Sequence, residues 1–187
     1  MMVTMITDPV LDALLSAATT TTGATLGVLL RHEQEVLRAV ATAGEQAHPL
    51  HGAATPVGAG VAGYVLASGQ PLALAVAAGD PRLQEGVTAM LASTPHSVLC
   101  VPCSGGDDVL GVLLLLDREG GQFTYDDVEM ATLLAGIAGV ALAAGGPGAG
   151  QVPGPAELGG ELDRLSRTDP ARYATVATLL GALLGRG

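Results

Sequence analysis

The chain has 187 residues, enough for one domain with a full core plus an appendage. Its net charge is −10, its eight basic residues are all Arg, and they form no cluster, so a nucleic-acid backbone finds no electrostatic footprint. Two Cys make no disulfide framework, and Met1–Thr7 lacks the charged and apolar stretches of a secretory leader, so a reducing, cytoplasmic setting is expected.

In chain order, Asp8 is placed to cap a helix with Pro9 at its first position, and Val10, Leu11, Leu14, Leu15 and Ala18 give that helix an apolar face. Ala24–Arg31 reads as a strand that pairs with Glu35–Ala43 across a turn at His32-Glu33-Gln34. Gly44–Val57 reads as a polar loop containing Pro and His. Gly58-Ala-Gly-Val-Ala-Gly63 opens a short helix that ends near Ser68-Gly69, and a short strand follows at Leu72–Val76. Asp80-Pro81 starts a second cross helix running to about Ala92. Strands are expected at Ser97–Cys103 and Val109–Asp117. Thr124 and Asp127 have capping-box spacing for a closing helix. Met130–Ala149 carries no charge and is long enough to test as a bilayer span. Its small residues Ala135, Gly139 and Ala143 favour close helix contact, hence a buried helix in a homodimer.

Three motifs invite chemistry. Gly58-x-Gly60-x-x-Gly63 matches a dinucleotide loop as a string, with Asp80 twenty residues after Gly60. A Pro-containing loop precedes it instead of a strand, so the glycines are expected to serve a tight helix start and close packing on the sheet. Cys100 and Cys103 form Cys-x-x-Cys. On a strand, positions three apart face opposite sides, so two buried fillers are expected, with redox sensing second and a metal site third. His48 and His51 share a loop without a visible third ligand, and no metal site is expected. No Ser lies in a nucleophile elbow, and no catalytic residue is expected. With one Phe, three Tyr and no Trp, the chain has few flat surfaces for haem, flavin or a nucleobase.

Gly58 through Pro71, Ser97-Val-Leu-Cys-Val-Pro102 and Gly111 through Asp127, in this order of elements, resemble the GAF family over residues 8–144. The resemblance implies an α/β (α+β) fold, an antiparallel sheet between a terminal-helix layer and a ligand-side layer of cross helices and loops. It implies a sensor rather than a catalyst. Gly60, Val61, Tyr64, His96 and Cys100 are then candidate ligand-binding residues, for a ligand or cofactor that stays unknown. The family signature Asn-Lys…Phe…Asp-Glu reads here as Asp117, Arg118, Phe123, Asp127 and Val128. These departures weigh against a cyclic nucleotide, and Arg118 with Asp127 is expected to clamp the turn into the closing helix. The enzyme alternative is a thiol-dependent free methionine sulfoxide reductase, whose family uses several Cys in other positions.

The expected organisation is a domain over 1–144, a Gly/Pro-rich linker over 145–160 and an amphipathic helix over 161–187. Tyr173, Val176, Leu179, Leu180, Leu183 and Leu184 recur at helical spacing, a stripe that needs a surface to cover it. The expected function is a small-ligand or redox-responsive regulatory module. It would act through dimerisation or through a partner protein on the Tyr173–Leu184 helix, without nucleic acid or membrane. A ligand-free interaction scaffold is the alternative.

Overall fold

The computed structural model describes residues 8–44, 48–76 and 80–145, the side chain of His48 excepted, together with Asp163, Arg164, Ser166, Arg167, Pro170 and Ala174. The chain divides into two compact units, Met1–Gly146 and Pro147–Gly187. In the second, Arg167 pairs with Asp163 one helical turn away. The apolar residues of the Tyr173–Leu184 stripe and residues 146–160 of the expected linker lie outside the described residues.

The first unit opens with helix α1 (Pro9–Thr22), whose N-cap Asp8 accepts a hydrogen bond from the Val10 N–H at 2.9 Å. Leu11, Leu15 and Ala18 are its buried stripe, while Val10, expected on that face, is 54 % exposed. Strands β1 (Ala24–Glu33) and β2 (Val36–Ala43) follow as a hairpin. Its turn falls at Gln34-Glu35, one residue later than expected, because Gln34 takes up the positive φ of 55°. The expected loop 44–57 hides a 3-10 turn (His48–Leu50) and a three-residue edge strand, β3 (Ala54–Pro56), which pairs with β2. Helix α2 (Gly60–Ser68) and strand β4 (Leu72–Ala75) come next. The second cross helix does not form as one piece. It is two 3-10 turns, Pro81–Leu83 and Gly86–Met90, broken where Gly86 adopts φ +72° with its Cα side against the Ala59 carbonyl. Strands β5 (Ser97–Gly105) and β6 (Asp108–Arg118) precede the long helix α3 (Tyr125–Ala144).

The six strands make one antiparallel sheet in the order β3-β2-β1-β6-β5-β4. Both faces are covered. Alternation on the strands sends Leu29, Leu99, Val101, Leu113 and Leu115 toward α1 and α3. It sends Val28, Leu30, Val98, Val112 and Leu114 toward α2 and the 3-10 turns. The run Leu113–Leu116 is apolar without interruption because each residue is buried on one side or the other.

The helix α3 packs its small residues inward. Ala131, Ala135, Ala138, Gly139 and Leu142 are buried on the sheet. A Cβ at Gly139 would overlap the Ser104 carbonyl of β5. The small residues Ala135 and Gly139, expected to serve a dimer contact, therefore seat the helix on its own sheet, and only Ala143 stays exposed. Among the described residues α3 is the one helix long and apolar enough to cross a membrane, and this inward face is how it belongs to the domain.

Candidate functional site

The ligand-side face of the sheet is roofed by Val61, Ala62 and Val65 of α2, by Leu83 and Val87 of the 3-10 turns, and by Leu50. The roof is held by backbone contacts. Gly60 has φ +63°, and a Cβ there would stand 2.5 Å from the Glu85 carbonyl oxygen. The Thr88 hydroxyl reaches the Leu83 and Glu85 carbonyls at 3.1 and 3.0 Å, fastening one 3-10 turn to the other. A Cβ at Gly63 would collide with the backbone of Val57 and Gly58. The glycine-rich run thus allows close approach between α2 and neighbouring loops, where close packing on the sheet was expected. Asp80, the acidic residue at the dinucleotide spacing, accepts from the Arg82 N–H at 3.0 Å and pairs with its guanidinium at 2.6 Å. The Arg82 hydrogen bonds hold the Asp80 carboxyl below its ordinary pKa. Ala59 stands at the α2 N-cap without a side-chain hydrogen bond, and the short edge strand β3 ends three residues before it, at Pro56.

The five candidate ligand residues do not converge. Val61 and Cys100 are both buried in the ligand-side cluster. Gly60 backs onto the Glu85 carbonyl at the start of α2. Tyr64 is 59 % exposed on the same helix, pointing away from the cluster that Val61 and Val65 enter. The His96 side chain stands in solvent just before β5; the backbone N–H of His96 donates to Asp117 Oδ1 at 2.6 Å, and its ring Nδ1 lies 3.3 Å from the same oxygen.

The described ligand-side face includes the Cys100 thiol and the Thr55 hydroxyl. The Cys100 thiol is fully buried, and burial, followed by the neighbouring Cys103, pushes its pKa far up. Thr55, on β3, stands opposite Leu37 in the pairing with β2 and so shares its face, the ligand side. Its hydroxyl is buried and has no hydrogen-bond partner among the described residues. A buried hydroxyl without a partner costs about 1–3 kcal/mol, so it marks a place where a polar atom would be welcome. Sequence reasoning missed Thr55 because a three-residue strand ending in Pro carries no periodic signal. Among the described residues this face holds no buried charge.

Cys103 lies on the opposite, helix-side face, as strand alternation requires for a residue three positions on. Burial raises its pKa to about 12, against an opposing hydrogen bond from the Leu113 backbone. Both thiols are free and protonated at neutral pH, the reverse of the electropositive, accessible setting that activates a thiolate.

The signature residues gather at one end of the sheet. Asp117 adopts φ 53°, a left-handed conformation that Asp and Asn tolerate better than other side-chain-bearing residues, and ties β6 to the start of β5 through His96. The Arg118 N–H donates to Ser97 Oγ at 3.0 Å. Arg118 Nε lies 2.6 Å from Asp127 Oδ2, an ion pair by distance whose N–H is not aimed at the oxygen. Asp127 Oδ2 accepts from the Thr124 N–H at 2.7 Å and from its hydroxyl at 2.8 Å, completing the capping box of α3. Burial acts to raise the Asp127 pKa, but the two Thr124 bonds and the Arg118 charge outweigh it and hold the carboxyl below its ordinary value. Phe123 and Val128 pack on the helix side. None of these side chains enters the ligand-side cluster. Among the described residues no three His, Cys, Asp or Glu side chains group to hold a metal ion. His51 sits near Asp12 of α1, where it opposes the burial that raises the Asp12 pKa.

An antiparallel sheet with helices α1 and α3 on one face and short cross elements on the other defines a three-layer sandwich. The family model for the GAF domain matches residues 7–143, and the chain belongs to that family. In structure it is similar to the second GAF domain of DevS from Mycobacterium smegmatis, at TM-score 0.58 and 26 % identity over 72 % of this chain and 91 % of that one. It also shares its fold with the GAF domain of a phosphoenolpyruvate-protein phosphotransferase from Coxiella burnetii, at TM-score 0.63 and 20 % identity over 72 % and 81 %. A free methionine-R-sulfoxide reductase from Neisseria meningitidis has the same fold, at TM-score 0.58 and 21 % identity over 73 % and 80 %. In sequence, 83 residues are 31 % identical to a probable 3',5'-cyclic phosphodiesterase of Caenorhabditis elegans, 44 % of this chain and 11 % of that protein. The chain therefore matches only about a tenth of the length of that curated relative.

Proposed function

We propose that this GAF domain is a regulatory sensor whose ligand-side compartment takes a small, neutral, mostly aliphatic molecule with one hydrogen-bonding group. The observation that carries the reading is the buried Thr55 hydroxyl, without a hydrogen-bond partner among the described residues, on an uncharged face that is otherwise aliphatic apart from the Cys100 thiol. Membership of the family and likeness to regulatory proteins support the sensor class. The departures at Asp117, Arg118 and Val128, and the structural use of Asp117, Arg118 and Asp127, weigh against a cyclic nucleotide. Burial of both thiols weighs against a redox trigger and against the reductase chemistry of the relatives that share the fold. In this reading the module works in the cytoplasm, pairs with a second copy, and passes its state to a partner protein through the Tyr173–Leu184 helix, with no role for nucleic acid or membrane.

The test is native mass spectrometry of the full chain isolated from its own host. A small neutral adduct is expected, and Thr55→Val is expected to lose it. If neither protein carries an adduct and Thr55→Val is simply more stable by about 1 kcal/mol, the hydroxyl is an unrewarded polar group and the sensor reading fails. The scaffold reading would then stand, supported by the closure of the roof, in which Val61, Val65, Leu83 and Val87 are at most 4 % exposed.

A further inference from the structure

The sheet ends in two edge strands, and an edge offers unpaired backbone N–H and C=O groups to any extended chain that meets it. Proline guards two stretches of that edge. On β3 the Ala39 N–H donates to the Ala53 carbonyl and the Val57 N–H to the Glu35 carbonyl, so alternation turns the backbone of Ala54 and Pro56 outward. Pro56 has no N–H, and its carbonyl already accepts from the Ala59 N–H at 3.0 Å, which leaves Ala54 alone. At the far edge β5 runs past β4, whose pairing stops at Leu72 opposite Cys100, and the next outward residue of β5 is Pro102.

β4 has no such guard. The Val76 N–H donates to the His96 carbonyl at 2.9 Å, which makes Leu72 and Leu74 the residues bonded to β5 and turns the N–H and C=O of Ala73 and Ala75 away from it. The strand reads Leu-Ala-Leu-Ala, with no proline and no charge. Among the described residues nothing pairs with the two alanines on their outer side. Ala73 and Ala75 are exposed, while Leu72 and Leu74 lie half-buried against the ligand-side cluster. A strand laid along β4 would set one residue beside Leu74, covering its open part, and the residues on either side of it beside the two small alanines. The net charge of −10 favours basic side chains at those flanking positions.

We propose that the β4 edge is a docking surface for an extended peptide arm of a partner protein, apolar where it meets Leu74 and basic on either side. The arm adds a seventh strand, antiparallel like every pair in this sheet, through the backbone groups of Ala73 and Ala75. Leu72 and Leu74 belong to the ligand-side cluster, so docking bears on that layer and not on α1 and α3. The surface is separate from the Thr55 hydroxyl, which lies on the strand at the opposite edge of the sheet.

The probe is an acetylated, amidated heptapeptide of alternating Lys and Val, titrated into the full chain by calorimetry. Binding on the order of 100 µM is expected, with amide exchange at Ala73 and Ala75 slowed about ten-fold. Ala73→Pro/Ala75→Pro removes the two outward N–H groups and leaves the bonds to β5 in place. That variant is expected to keep its melting temperature and to bind about ten-fold more weakly or worse. Should it not fold, the peptide tests the same bonds against the unsubstituted chain. In antiparallel docking the lysine N–H groups face β4 and the valine N–H groups face away. N-methylation at the lysines is expected to abolish binding, and N-methylation at the valines to spare it. No binding overturns the proposal, and so does equal binding of the peptide to a folded Ala73→Pro/Ala75→Pro. A peptide with its valines replaced by glycine that binds as well shows attraction by charge alone and overturns it. Self-association of the chain that disappears in Ala73→Pro/Ala75→Pro also overturns it, since a second copy then holds the edge.

Discussion

The two faces of one sheet are built in different ways. On the helix side two regular helices of 14 and 20 residues lie on the strands, seated by Leu11, Leu15 and the small residues of α3. On the ligand side a nine-residue helix and two 3-10 turns are fastened by glycine approaches and one Thr hydroxyl. Regular helices satisfy their own backbone and spend side chains on packing. Short turns must borrow partners from neighbours, and each borrowed contact is a place where the layer can open at less cost than the whole domain. The difference teaches that the helix side is built as a regular frame and the ligand side as a layer of short pieces that depend on one another. β5 runs between them with one Cys on each side, a built-in probe of both.

The strongest challenge to this contrast is Gly139→Leu. The new side chain overlaps the Ser104 backbone of β5, and a loss of about 3 kcal/mol or more is expected in urea unfolding. A variant that keeps its stability would show that α3 is not seated as described. On the other side, Gly60→Ala adds a Cβ 2.5 Å from the Glu85 carbonyl at a positive φ, and about 2 kcal/mol is expected. The roof can shift where the frame cannot, so a larger cost at Gly60 than at Gly139 would break the contrast.

The clamp at the end of the sheet predicts a pH dependence. Asp127 has a folded pKa below its unfolded value, so its stabilisation is full above about pH 4 and is lost as the pH falls through the folded value. Asp127→Ala is expected to cost about 1–2 kcal/mol at pH 7, through the lost capping bonds and the Arg118 pair, and progressively less in acid as the pH falls through the folded pKa. An equal cost at every pH would mean that the carboxylate charge contributes nothing. The smallest effect sharpens the contrast most directly. Native-state thiol labelling is expected to reach Cys100 before Cys103, by about ten-fold if the two layers differ by about 1.4 kcal/mol in opening. Equal rates would mean that both faces open together.

Much of the architecture was legible along the chain because it is written in local chemistry. Asp8-Pro9, Thr124 with Asp127, and the alternation that separates Cys100 from Cys103 each act within a few residues, and each is where the sequence places it. The second cross helix was misread because Asp80-Pro81 is a sound start, yet Gly86 is needed at positive φ against Ala59, a partner 27 positions earlier. β3 was missed because its strand character comes from pairing with β2, not from its own three residues. The candidate site shared this fate. Val61 and Cys100 announce themselves as apolar residues on recognisable elements, but Thr55 gains its meaning only when Leu37 stands opposite it and no partner among the described residues meets its hydroxyl. Helix caps, strand periodicity and the apolar content of α3 were determined by the sequence alone, since they depend on neighbours in the chain. Which face each Cys takes, that Gly139 looks inward while Leu133 and Ile137 look outward, and that a hydroxyl is buried without a partner among the described residues were decided by the tertiary structure, because each depends on which distant backbone occupies the adjoining space.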